Sequence, residues 1–284
     1  MRVRTYGAVG PRVIVVHGGP AAVGSVAAVA RGLADRFRAI EPFQRRSVAG
    51  GPPLTVAQHV ADLQEVVESC GDGVRPALVG HSWGAMLVLA WAAAHPDEAG
   101  PLVLVGCGTF DPAARARLRE IVAERTTADV KRQLDRLAEE IADPGARTAA
   151  MGRIMERLYA FDPVEGDDPA ADAGTAPDER EPFDAAGHEQ TWQDMLRLQG
   201  EGVYPAAFAA IRSPVLMLHG SHDPHPGPMI RDGLRPLIPQ LEYHELARCG
   251  HHPWQERAAR EEFFAVLREW LLRTCGGQSH RAHA

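Results

Sequence analysis

One short turn constrains this chain more than any other stretch. Gly80-His81-Ser82-Trp83-Gly84 has the form G-x-S-x-G. Before it runs Pro76-Ala77-Leu78-Val79, apolar and suited to a buried strand. After it, residues 85–94 are rich in strong helix formers. A serine on so sharp a strand-to-helix turn is forced into a strained backbone conformation, and side chains at the flanking positions would clash, hence the glycines. The turn holds the Ser82 hydroxyl clear of the backbone. The Trp83 amide, at a helix N-terminus, points at the same space as one half of an oxyanion hole. The bare pattern is common, but the strand before it and the helix after it mark a nucleophile elbow.

The rest of the chain supplies a scaffold for such a turn. Val13-Ile14-Val15-Val16 is a β-branched run suited to a strand buried on both faces. His17-Gly18-Gly19-Pro20 follows, and Gly19 N–H is the candidate second oxyanion donor. A helix over 25–36, a strand over 37–42 and a helix from Thr55, with Gln58 completing a capping box, lead to the elbow. A further buried strand spans 101–106. This alternation builds a parallel sheet with helices on both faces, whose ligands bind beyond the carboxyl ends of the strands. Residues 112–208 break the alternation. They are largely helical, with an acidic, proline-containing stretch over 162–190 expected to be a mobile loop, and a helix over 191–199. The expected organisation is a core of 1–111 and 209–284 interrupted by a helical cap at 112–208.

The sheet pattern returns at 213–218, followed by Gly220-Ser221-His222-Asp223. A last strand over 242–246 leads to Gly250-His251-His252. Ser82, Asp223 and His251 thus fall on loops after strands in the order nucleophile, acid, base. His252 is an alternative base and Asp111 an alternative acid. His219, His222, Asp223 and His225 form a competing, metal-like constellation. Their spacing on an irregular loop fixes no common face, and the H-E-x-x-H signature is absent, so no metal and no cofactor are expected.

The formal net charge of -7 and the lack of a basic run argue against nucleic acid as a partner. No apolar run approaches roughly 18 residues, and the N-terminus lacks the apolar stretch of a signal peptide. Four scattered cysteines without a C-x-x-C pair suit the reducing cytoplasm.

These motifs, His17-Gly18-Gly19-Pro20, Gly80-His81-Ser82-Trp83-Gly84, Gly220-Ser221-His222-Asp223 and Gly250-His251, resemble those of the α/β-hydrolase fold in its proline iminopeptidase-like branch. The resemblance runs from Val13 to Leu272 and is weakest in the cap. It implies a mostly parallel eight-stranded sheet, a cap that shapes the pocket, and a cofactor-free serine hydrolase acting on a small ester, amide or short peptide. Ala21 stands where iminopeptidases usually carry another glycine. Glu156, Asp162 and Glu165 are the cap carboxylates on offer to a free amine. An apolar pocket lined by Trp83 and Trp192 would instead favour an ester or lactone. The contrasting reading is a relative that keeps the fold as a non-catalytic binding module.

Overall fold

The computed structural model describes residues 1–71, 73–164 and 183–276. Its centre is a sheet built from strands β1 (Val3–Tyr6), β2 (Arg12–Val16), β3 (Arg38–Pro42), β4 (Ala77–His81), β5 (Leu102–Val105), β6 (Val215–Gly220) and β7 (Leu241–Leu246). They lie in the order β1-β3-β2-β4-β5-β6-β7. Every pairing is parallel except β1 with β3. The described residues thus form seven strands where the resemblance implied eight. β1, whose residues alternate between exposed and half-buried, is one edge of the sheet.

The strands bury both faces, which explains why they read as unbroken apolar runs. Ile14, Val16, Leu78, Leu102, Leu104, Val215 and Met217 face one core. Val13, Val15, Ala77, Val79, Val103, Val105, Leu216 and Leu218 face the other. Helices α2 (Val56–Ser69) and α3 (Trp83–Ala94) pack onto the first. Helices α1 (Ala27–Leu33) and α9 (Arg260–Gly276) close the second. Thr55 and Gln58 form the anticipated capping box at the start of α2: Gln58 N–H donates to Thr55 Oγ1 at 3.2 Å, and Thr55 N–H donates to Gln58 Oε1 at 3.0 Å.

Between β5 and β6 come α4 (Pro112–Arg125), α5 (Ala128–Glu140), α6 (Pro144–Tyr159) and α7 (Ala185–Gly200). Most of the acidic stretch expected to be a loop, residues 165–182, lies outside the described residues. Its end differs from expectation, because α7 begins at 185 rather than 191. The cause is tertiary. Asp184 caps α7 by accepting from Gly187 N–H at 2.9 Å, and the same carboxylate accepts Ser47 N–H and Ser47 Oγ–H, each at 2.6 Å. Further along α7, Asp194 Oδ2 accepts Val56 N–H at 2.8 Å, at the first turn of α2, where donors lack helical partners. α8 (Gly227–Leu234) has no counterpart among the expected elements; it holds Pro228 in its first turn and Gly233 near its end.

The carboxyl ends of β2, β4, β5, β6 and β7 share one edge of the sheet, since all five run parallel. The loops that leave them carry the motif residues.

Candidate active site

Ser82 stands between β4 and α3 with φ 54° and ψ −118°, a conformation that costs a non-glycine residue roughly 1–3 kcal/mol. Its surroundings impose that cost. Ser82 N–H donates to Val105 O at 2.8 Å, fixing the turn to the neighbouring strand. A Cβ on Gly80 would lie 2.3 Å from Gly84 O, and one on Gly84 would lie 2.3 Å from Val16 O. Both glycines are therefore required by backbone contact. On the far side, a Cβ on Gly18 would meet the Ser82 Cβ at 2.9 Å, so the His17–Pro20 loop passes directly over the serine.

That loop is tied down. Gln44 Nε2 donates to His17 O at 2.9 Å, and Gln44 Oε1 accepts Trp83 Nε1–H at 2.9 Å. One buried amide thereby links the loop carrying Gly19 to the residue after Ser82. Burial holds His17 down to about 4, so its ring is neutral. His188 on α7 reaches Pro20 O at 3.0 Å and braces the loop from the other side. Gly19 has φ 43°, with only Ala22 Cβ near its missing side chain, at 3.5 Å, so backbone conformation rather than space explains the glycine. Trp83 opens α3, and its amide is one of the first-turn donors that a helix cannot pair. Its indole is fully buried in the core beside the elbow, with its N–H spent on Gln44. Trp192 is half-buried against the same hydrophobic cluster.

Asp223 and His251 meet. His251 Nδ1 lies 2.7 Å from Asp223 Oδ2, and both side chains are buried. The His251 ring packs 4.7 Å from that of His81, the residue before Ser82. Of the two adjacent histidines it is His251 that engages the acid, while His252 stacks edge-on with Trp254. Asp111, the alternative acid, is occupied as the N-cap of α4, accepting Ala114 N–H at 2.8 Å.

The loop carrying His251 is held by a residue the sequence did not single out. Glu256 is buried; its Oε1 accepts Gly250 N–H at 2.9 Å and Phe161 N–H at 2.8 Å, and its Oε2 accepts Asp162 N–H at 2.7 Å. His251 N–H donates to Tyr159 O at 2.8 Å. Within Gln255-Glu256-Arg257 the glutamate reads as ordinary surface charge, and only its burial reveals the role.

Part of the histidine constellation also converges. His225 Nδ1 lies 2.9 Å from Asp223 Oδ1, and its ring stacks on that of His251 at 4.6 Å and 22°. His219 Nε2 sits 2.8 Å from His225 O and 3.4 Å from Asp223 Oδ2. His222 points elsewhere, against Phe161.

Electrostatics follow from this crowding. Burial alone would raise the Asp223 carboxyl, but the facing His251, His225 and His219 hold it well below the usual carboxylate range. Burial pushes His251 below the ordinary imidazole value of 6.5, against the upward pull of Asp223. Burial and the neighbouring His251 push His252 down to about 3. A base must be unprotonated to accept a proton, so activity that depends on His251 is lost as pH falls through its pKa. The acid limb of kcat/KM is therefore expected below pH 6.5. A limb centred above neutrality would contradict the role.

Known proteins share this fold. Residues 13–266 match the Alpha/beta hydrolase family. A proline iminopeptidase of Neisseria gonorrhoeae is 35% identical over 117 residues; the matched stretch spans 39% of this chain and 37% of that relative. A thermophilic esterase from Thermogutta terrifontis superposes with a TM-score of 0.61 at 20% identity, covering 96% of this chain and 93% of its own. A proline iminopeptidase of Mycobacterium smegmatis does so at 0.62 and 19% identity, covering 97% and 95%. At that identity the structures speak for the fold alone. The family match spans most of the sequence and includes every motif named above: this chain belongs to the alpha/beta hydrolase family.

Proposed function

We propose that this chain is a serine hydrolase that cleaves a small ester or amide through an acyl-enzyme. The observation that carries the reading is the 2.7 Å contact between His251 and Asp223, on loops leaving the same sheet edge as the Ser82 elbow. Ser82 Oγ attacks the acyl carbon while His251 Nε2 takes its proton. Asp223 holds the Nδ1–H tautomer and favours the imidazolium. The Gly19 and Trp83 amides stabilise the oxyanion, a contribution of roughly 3–4 kcal/mol per well-placed donor. The imidazolium then protonates the leaving group, and a water repeats the sequence to release the acid and restore Ser82. Residues 112–208 act as the cap, with α7 bearing on the oxyanion loop through His188. Four buried, unbridged cysteines fit work in the cytoplasm. No described helix is long and apolar enough to cross a membrane.

The Neisseria match favours a second reading, an aminopeptidase that removes N-terminal proline. It needs a carboxylate to hold the substrate's free amine. Asp162 is exposed and lies 3.5 Å from Arg257, while Glu165 falls outside the described residues. Asp162 already has a cationic partner, and no other described cap carboxylate is placed against a substrate amine, so the ester reading is preferred.

A paired panel separates the readings: p-nitrophenyl acetate and butyrate against proline and alanine p-nitroanilides, with wild type beside Ser82→Ala. Serine-dependent turnover of the esters alone is expected. Turnover of the anilides would move the protein to the aminopeptidases. Absence of turnover and of fluorophosphonate labelling would leave a binding module. Activity is expected to survive EDTA, because no step uses a metal.

A further inference from the structure

A Ser-His-Asp mechanism needs one imidazole on its carboxylate. Asp223 carries two. Its Oδ2 faces His251 Nδ1 at 2.7 Å and its Oδ1 faces His225 Nδ1 at 2.9 Å. The second imidazole is not needed to satisfy the carboxylate, since Oδ1 already accepts the His225 backbone N–H at 2.9 Å. His225 is surplus to the chemistry proposed above, yet it is packed in place. Its ring stacks on His251 and meets the edge of the Tyr159 ring, and its carbonyl faces His219 Nε2 at 2.8 Å.

Two imidazole nitrogens and a carboxylate are the donor set of a three-ligand zinc site with an open fourth position. One donor atom from each of Asp223, His225 and His251 lies within 4.8 Å of the others. A tetrahedral zinc with bonds of about 2.0–2.1 Å wants its donors about 3.3 Å apart. Each imidazole is already closer than that to one oxygen of the carboxylate, His251 to Oδ2 and His225 to Oδ1, so a small rotation of the carboxylate brings one oxygen between them. His225 is the least buried of the three, with 12% of its side chain exposed against 5% for His251 and 0% for Asp223, and is therefore the ring with most room to adjust. His219, its Nε2 directed at the His225 carbonyl, supports the set without joining it.

We propose that Asp223, His225 and His251 form an inhibitory site for a zinc-class divalent ion, bound through both Nδ1 atoms and a carboxylate oxygen. The consequence follows from proton bookkeeping. In the working state His251 carries its proton on Nδ1 and keeps a lone pair on Nε2 for the Ser82 proton. A metal takes the Nδ1 lone pair, so the neutral ring must hold its proton on Nε2. His225 makes the same shift, and no net proton is released. The base then presents a donor where it must present an acceptor, the wrong-tautomer defect that costs a serine hydrolase about 10⁴-fold. The inhibition rests on the serine hydrolase reading above; the binding does not.

The test titrates EDTA-treated, dialysed protein with Co²⁺, reading the visible absorption of a four-coordinate ion, and with ZnCl₂ by calorimetry. Wild type is compared with His225→Phe, which keeps a ring on His251 but removes the ligand, and with His225→Asn. Fluorophosphonate labelling is followed in parallel, each protein normalised to its own metal-free rate. Wild type is expected to bind one ion at this site, to lose labelling as zinc is added, and to recover it with EDTA. In both variants the zinc needed for half-inhibition should rise by at least about 100-fold, with the cobalt spectrum lost. Equal binding and inhibition in the variants would overturn the site, as would a zinc-induced rise in rate or no four-coordinate spectrum in wild type. If metal-free wild type does not label, the hydrolase reading fails, and the cobalt and calorimetric titrations still judge the site.

Discussion

Ser82→Ala is expected to lower kcat by at least about 10³-fold on whichever ester proves the best substrate, and to abolish fluorophosphonate labelling. That loss corresponds to at least about 4 kcal/mol of transition-state stabilisation. The argument turns on what remains after the hydroxyl is gone. The substitution leaves the proposed oxyanion donors, the Gly19 and Trp83 amides, in place, and His251 still leans on Asp223. Binding and oxyanion stabilisation therefore persist, and any residual rate is theirs. Stability should barely move, because the strained backbone at φ 54° is imposed by Gly18, Gly80, Gly84 and the hydrogen bond to Val105 rather than by the hydroxyl. A melting curve matching wild type, beside a near-complete loss of turnover, is the expected pair of results. A variant that hydrolyses esters within tenfold of wild type would remove Ser82 from the chemistry.

Much of the scaffold was legible because its physics is local. Strands buried on both faces leave apolar runs such as Val13–Val16 and Leu102–Val105, and the capping box at Thr55 and Gln58 is complete within four residues. The elbow is legible for the same reason, since Gly80 and Gly84 answer to clashes within the turn and with the adjoining strand. What escaped depends on partners far along the chain. β1 has four residues, and only its register against β3 makes it a strand. The start of α7 is set by Ser47, 137 residues away from Asp184. Gln44 lies in a stretch that reads as a polar loop, yet it joins His17 to Trp83. Glu256 shows no local pattern that separates it from solvated side chains, and His225, visible in sequence only as one of a histidine cluster, gives no sign of its contact with Asp223. Asp223 and His251 sit between these cases: their order and loop positions are visible in sequence, and their contact is a matter of tertiary structure.

Asp223→Asn is expected to cost about 10⁴-fold in kcat, more than any other single change at the carboxylate loop. An amide matches the shape of the carboxylate but not its demands. Asp223 receives from two ring nitrogens and from the His225 backbone N–H, all donors. Asparagine offers one accepting oxygen and one donating NH₂ group. If the oxygen turns to His225, where the backbone donor also points, the NH₂ group faces His251 Nδ1. The ring then holds its proton on Nε2 and cannot accept one from Ser82. The imidazolium formed during attack also loses the only carboxylate within hydrogen-bond reach of His251 among the described residues. Asp111 cannot replace it while it caps α4. The fold should persist, because the backbone of the loop is fixed independently: Asp223 N–H donates to Gly220 O at 3.0 Å, and His222 N–H to Cys249 O at 2.7 Å. Steady-state kinetics and a thermal melt on the same preparation check both halves. Retention of activity within tenfold would show that His251 keeps its tautomer without Asp223, and the acid would have to be sought elsewhere. Asp223→Asn and zinc thus disable the protein through the same misplaced proton, and because the variant also lacks one of the three ligands, zinc should add nothing further to its loss.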